Sequence, residues 1–546
     1  MPLIDVLERG YFPKELPNPF CTHTFAQVVS GSAALPPDFT PVLHGINPRL
    51  RQAKASRYSH ARGGLLRRPL SICNPLAFYR LARELDQQWA ALTPNVQGTP
   101  LSSTNPVFSP IGRAIQGSQA QSLRPTLAVE TRLNNRYILR TDISRFYQSI
   151  YTHSISWAIH TKPFAKANRG MTHLGNRLDA LVRSGQDGQT VGIPIGPDTS
   201  LVLAEILMQA CDQELIAALP GVRGYRFIDD YELGFRTRTE AENAFHVLEK
   251  ILAGYELALN PRKTTVDELP FRLEAPWAAH LRSFVIRSMP RGQATDLVTY
   301  FDLASELNQK HPDETVLQFA VGRLRGLMVA PQNWRLFQRL LLNLAVPDPA
   351  ALPFVLEAIF IRVNRGAVPE CAEISQALNT IVVEHSSLGH SSEVAWSLWA
   401  CLALGIPLSQ AATDAVSHCD DSCVALLALH CQYCGLVTGR LNTALWGSYM
   451  TPQTLYEEHW LLSYEANVKG WLPSVRRRDH VAADPNFSFL KANNVSFYDV
   501  LQAVPATPTA PVPVPQPALP PPVYGSGGGG FGQDEHDVFD NDGDYL

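Results

Sequence analysis

Arg223-Gly-Tyr-Arg-Phe-Ile-Asp229-Asp230-Tyr-Glu-Leu-Gly-Phe235 is the stretch whose reading decides the fold of the first half of this chain. Tyr225, Phe227, Tyr231, Leu233 and Phe235 are strand formers spaced two apart, and they straddle an aspartate pair where a tight hairpin would turn. Two adjacent carboxylates on an otherwise apolar tip are costly unless a cation sits beside them. Hard oxygen ligands suit Mg²⁺, so Asp229 and Asp230 read as metal ligands.

Upstream, Arg136-Tyr-Ile-Leu-Arg-Thr-Asp142 predicts a short strand ending in a third aspartate, with a helix from Tyr151 to His160 after it. Val191-Gly-Ile-Pro-Ile-Gly-Pro-Asp-Thr-Ser200 is a turn-rich loop opening a helix over Leu201 to Leu219, whose apolar residues recur at helical spacing. Downstream, Thr239-Glu-Ala-Glu242 carries a capping-box signature for a helix to about Leu252, and the chain returns through Leu259-Asn-Pro-Arg-Lys263-Thr. Strand, helix, hairpin, helix, strand is the order of a split β-α-β, ferredoxin-like α+β fold. That order places Asp142 and the Asp229-Asp230 turn on neighbouring strands at one edge. Carboxylates converging there could hold two Mg²⁺ ions, with Asp142 and Asp229 shared between them and Asp230 in support, a device for phosphoryl transfer.

Residues 60–270 resemble the fingers and palm of a reverse transcriptase. Thr141-Asp142-Ile-Ser-Arg-Phe-Tyr147 is similar to that family's first metal motif, and Gly192-Ile-Pro194-Ile195-Gly196-Pro to its template-and-nucleotide loop. Phe227-Ile-Asp229-Asp230 resembles its aromatic-x-Asp-Asp box, and Leu259 to Thr264 its lysine-bearing motif. The resemblance implies a DNA polymerase that uses Mg²⁺, or Mn²⁺ in its place, and deoxynucleotides. Asp142, Asp229 and Asp230 would be its catalytic carboxylates, with the backbone at Ile143 completing the metal site. Tyr147 would be the sugar floor that excludes a 2′-hydroxyl, Lys263 would assist pyrophosphate departure, and Gly192, Pro194, Ile195, Gly196, Arg67 and Arg68 would bind the nucleotide. Within the family, Gly10-Tyr-Phe-Pro-Lys-Glu-Leu-Pro, the run Phe146 to Ile155 and the long helical C-terminal region look like the bacterial abortive-infection, antiphage-defence group. The family's usual Gln before Gly196 is Ile195 here, and its usual Tyr is Phe227. Both departures, and the group's association with untemplated or protein-primed synthesis, argue against conventional template reading. A protein hydroxyl, for instance on Tyr524 or Tyr545, would then replace the primer end. RNA-templated synthesis on a bound non-coding RNA and a catalytically silent nucleic-acid-binding module are the alternatives, whereas the Gly-Gly-acid-Glu-Phe type signature of palm-fold nucleotide cyclases is absent.

The 546 residues divide into an extended Pro-rich segment (1–40), fingers and palm (41–275), a helical region (276–503) and a Pro- and Gly-rich acidic tail (504–546) that composition marks as disordered. The helical region suggests an α-solenoid of HEAT-like kind, or a compact bundle. The net charge is −4, but the tail holds six acids and no Lys or Arg, leaving the remainder at +2. Seven cations crowd Arg49 to Arg68 with no carboxylate from Thr40 to Arg83, which suits either a phosphate-binding surface or a solvated face. Nine scattered cysteines fit reduced thiols, and the lack of a long apolar run or secretory signal fits a cytoplasmic protein; the resemblance implies nucleic acid as partner, and a homo-oligomeric state is expected. Cys419, Cys423, Cys431 and Cys434 have zinc-like pair spacing that equally suits helix packing, and Arg476-Arg-Arg478 with Trp471 and Phe487 could touch nucleic acid or be a solvated loop.

Overall fold

The computed structural model describes residues 1–503 apart from 47, 65, 476 and 477. The acidic tail, Tyr524, Tyr545, Arg476 and Arg477 lie outside the described residues.

A four-stranded antiparallel sheet forms in the spatial order Arg223–Phe227, Asp230–Phe235, Tyr137–Thr141, Thr265–Glu268. It realises the predicted order of strand, helix, hairpin, helix, strand. Phe227 pairs with Asp230, so Ile228 and Asp229 alone make the turn. Thr141 pairs with Tyr231, which puts Asp142 beside the aspartate pair. The helix Asp198–Ala218 lies behind this sheet and is buried along most of its length. The helix Arg238–Gly254 starts two residues before the expected capping box: Thr237 caps it and Glu240 closes the box. Thr239 with Glu242 has the same spacing, and the strand's end at Phe235 decides between the two registers.

The N-terminal segment is not simply extended. Leu3–Arg9 and His23–Gly31 are helices, and between them Tyr11 is fully buried with its ring stacked on Phe78 at 4.0 Å. This aromatic packing is what lets a proline-rich stretch fold. Pro75–Gln87 is a helix whose N-cap is Asn74, as its sequence predicts. Residues 90–130 carry little periodicity, and they form a short helix, a small hairpin and the helix Arg124–Arg132.

From Pro276 to Ala492 the chain is helical, most helices packing on the next or the next but one. This region does not stand apart. One continuous apolar core runs from Val6 to Tyr498. The described ends are laced together, Cys21 N–H donating to Phe497 O at 3.1 Å and Asp499 N–H to Pro19 O at 2.7 Å. The basic block forms an antiparallel hairpin, Ser56–Ala61 with Arg67–Ile72, docked on this helical region. Lys54 pairs with Glu457, Arg57 with Glu458, Arg51 with Asp484 and Arg67 with Glu393. Much of the block's charge is therefore paired with acids more than 300 residues away in sequence. Among the described residues no helix is long and apolar enough to cross a membrane.

Candidate active site

The hairpin tip is held from beneath by charge. Arg226 is fully buried and lies 2.9 Å from Glu205 and 2.8 Å from Asp212, two acids on the inner face of the helix Asp198–Ala218. Tyr231 Oη donates to Asp212 at 2.6 Å, and Ser102 and Thr104 hydroxyls donate to Glu205. Buried ions survive only when paired and hydrogen-bonded in this way. The network grips the turn directly: Arg226 Nη1 donates to Ile228 O at 2.7 Å, and Ile228 N–H donates to Thr104 Oγ1 at 3.0 Å. Ile228 needs that grip, because its φ of 52° is costly for a β-branched residue, on the order of 1–3 kcal/mol. Asp229 follows it in the turn. Nothing in sequence spacing assigns Arg226, Glu205 and Asp212 to one another; the available signal was acids on an otherwise apolar helix.

Asp142 is buried, and its Oδ1 has no partner among the described residues. Its Oδ2 lies 2.6 Å from Lys263 Nζ. The lysine arrives because residues 142–144 and 258–260 pair as strands, Asn260 N–H donating to Asp142 O and Ser144 N–H to Ala258 O, both at 2.8 Å, with Ile143 buried between. Burial works against the lysine's charge, but the Asp142 hydrogen bond and the charges of Asp142, Asp230 and Asp229 together outweigh it and lift the ammonium above its ordinary value. Asp230 is held by Arg124 at 2.6 Å. Burial, reinforced by the charges of Asp230 and Asp142, pushes the Asp229 carboxyl up to about 7. The three carboxylates thus repel one another and draw in cations, and the unpartnered Asp142 oxygen and the hard oxygen donors fit a divalent ion. They do not gather to within 4.8 Å of one another, as His385, His390 and Glu393 do. Lys263 and Arg124 occupy their flanks and would have to yield.

The Gly-Pro loop is tied to the same unit. Ile193 N–H donates to Tyr147 O and Gly192 N–H to Ile150 O, both at 2.8 Å, while Pro194 O accepts from Ser200 Oγ and Ile195 O from Ser71 N–H. Gly196 has φ 119°, and a Cβ there would stand 2.6 Å from Pro13. Arg113 locks this arrangement, donating to Gly10 O, Phe12 O and Gly196 O and pairing with buried Asp198. Arg68, Tyr147, Ile195, Gly196 and Lys14 line a cavity of ≈ 30 Å³. That holds water rather than a nucleotide, for which several hundred Å³ would be usual. Arg67 does not join it: its guanidinium takes Glu393 and Ser59 on the other side of the hairpin.

Cys419, Cys423 and Cys431 are buried, and burial raises their thiols well above the ordinary range, while Cys434 is exposed. Among the described residues the four do not converge on an ion site, and the three buried ones are packing residues. Phe487 is buried against Tyr456 and presents no free face for a base, while the partly buried Trp471 stacks on His430 at 5.8 Å.

Residues 81–273 match the family model described as Reverse transcriptase (RNA-dependent DNA polymerase), so the chain carries a reverse transcriptase domain. The match starts inside the helix Pro75–Gln87, leaving the basic hairpin upstream of it. Among solved structures, apo telomerase from Candida tropicalis is similar with a TM-score of 0.31 and 11% identity, covering 62% of this chain and 67% of that one. Telomerase from Candida albicans in complex with a fragment of telomeric RNA has a TM-score of 0.25 and 13% identity, covering 69% and 62%. No curated protein matches.

Proposed function

We propose that this chain is an Mg²⁺-dependent DNA polymerase acting in antiphage defence, which builds DNA without a conventional template or from a protein primer. One observation carries the reading: Asp142 stands beside the Asp229-Asp230 turn, with Lys263 on it, inside a reverse transcriptase domain. Asp142, Asp229 and the Ile143 backbone would hold the ions, with Asp230 beside them. Bound there, divalent metal supplies charge stabilisation to the attacking and leaving oxygens of phosphoryl transfer. Lys263, released from Asp142, would meet the departing pyrophosphate. Tyr147, buried beneath the Gly-Pro loop, would form the floor under a deoxyribose and Arg68 would face the nucleotide, which requires the water-sized cavity between them to open.

Ile195 supports the departure from templated copying. It is buried with its carbonyl taken by Ser71 and has no side-chain donor to offer a template base. The primer hydroxyl would come from a tyrosine such as Tyr524 or Tyr545. The helical region, as a solenoid-like stack, would shape a channel for product or partner, in a cytoplasmic homo-oligomer. The test is extension by purified protein given dNTPs and Mg²⁺, with and without RNase pre-treatment. Product that survives RNase and carries a covalently attached peptide supports the reading. RNase-abolished product points instead to a bound RNA template.

A further inference from the structure

We propose that His385, His390 and Glu393 bind a divalent transition-metal ion of the Zn²⁺ type, at the joint between the helical region and the basic hairpin. Among the described residues this is the one place where three His, Cys, Asp or Glu ligand atoms gather within 4.8 Å of one another. His385 Nδ1 and His390 Nδ1 lie 2.8 Å apart, and Glu393 Oε1 lies 3.8 Å from the first and 3.6 Å from the second. Ligands on a tetrahedral Zn²⁺ with bonds of about 2.1 Å are separated by roughly 3.4 Å, so the triangle has the size of a coordination face. One proton shared between the rings accounts for the shortest edge only. It leaves Glu393 Oε1 close to both rings but beyond hydrogen-bond distance of either.

The local fold builds this face. His385 is in the last turn of the helix Cys371–Ser386, His390 caps the helix Ser391–Leu404, and Glu393 lies in that helix's first turn. The corner between them is tight, with Gly389 at φ 65°. Glu393 is oriented by Ser392 Oγ, 2.6 Å from Oε2, and by Arg67, which grips both oxygens, its Nη2 donating to Oε2 at 2.8 Å and its Nη1 to Oε1, so the ion would take the remaining lone pair of Oε1. Outer partners of this kind fix ligating carboxylates. Both rings are partly exposed, so a water can take the fourth position.

The consequence is mechanical. Ser391 and Ser392 hydroxyls accept the Ser59 and Ala61 amides, each at 3.0 Å, and Arg67 joins the same strands to Glu393. An ion at this corner clamps the hairpin whose next residue, Arg68, lines the cavity beside Tyr147. The site is separate from the three aspartates, and it stands or falls independently of the polymerase reading.

The test uses the full-length protein, stripped with chelator, reloaded with Zn²⁺ or Co²⁺ in excess Mg²⁺, and desalted. Elemental analysis is expected to find one Zn²⁺ per chain. The Co²⁺ form is expected to show visible d–d absorption without the near-ultraviolet band of thiolate ligation. His385→Gln and His390→Gln should each weaken binding more than about a hundredfold, beyond the loss typical of an outer partner. Each variant's chelator-treated melting temperature, matching the stripped wild type, establishes that it folds. Zn²⁺ content unchanged in the double variant would overturn the assignment, as would a thiolate band, or wild-type protein that retains no ion through desalting.

Discussion

Asp229 carries the electrostatics of the hairpin tip, and its behaviour with pH is the sharpest residue-level consequence. Its carboxyl is raised to about 7, whereas an unfolded aspartate titrates near about 4. Between those values the folded, metal-free protein holds a proton that the unfolded chain has released, so metal-free stability falls as pH rises through that window. A divalent ion must expel the same proton. Mn²⁺ affinity, followed by electron paramagnetic resonance, should therefore rise about tenfold per pH unit up to pH 7 and level off above. Asp229→Asn should flatten both profiles; a steep metal-affinity profile persisting in that variant would assign the proton elsewhere. At the neighbouring loop, Tyr147→Ala should raise ribonucleotide over deoxynucleotide incorporation by at least about tenfold. An unchanged ratio would remove Tyr147 as the sugar floor.

At the scale of elements, the hairpin stands on the buried Arg226, Glu205 and Asp212 network. Arg226→Ala leaves two buried acids facing each other and should cost about 3–5 kcal/mol in urea unfolding, far more than loss of a surface pair such as Arg57 with Glu458 at about 0–1 kcal/mol. Equal effects from the two would mean the network is not the hairpin's support. The hairpin itself was legible because period-two aromatics, an aspartate pair and the surrounding order of elements all point one way. Its foundation was not, since Arg226 reads as a solvent-facing residue of a strand until a helix is placed behind it. Arg67 failed for the same reason: the partner that claims it, Glu393, is 326 positions away. The capping box slipped by two residues because Thr237 and Thr239 each precede a glutamate at the same spacing, a choice that only the strand end resolves. The N-terminal helices were hidden by prolines, and tertiary packing by Tyr11 and Phe12 outweighs that local signal.

Across the whole molecule, the reverse transcriptase domain is not a free-standing unit. The N-terminal segment, the basic hairpin and the helical region share one apolar core with it, and the described ends are hydrogen-bonded together. Thermal unfolding followed by tryptophan fluorescence and by far-ultraviolet circular dichroism should give one coincident transition; two resolved transitions would indicate separately folding parts. Tyr11→Ala, far from the aspartates in sequence, should cost about 3–5 kcal/mol, as loss of a fully buried aromatic does. The central claim is that the Asp142 and Asp229-Asp230 edge is a working metal site for nucleotide addition. The most direct measurement is incorporation of labelled dNTPs by full-length protein in Mg²⁺, set against the Asp229→Asn, Asp230→Asn double variant with its fold verified by its melting profile. The account predicts Mg²⁺-dependent DNA from the wild type and a loss of at least about a thousandfold in the variant. Equal incorporation by the two proteins would contradict it.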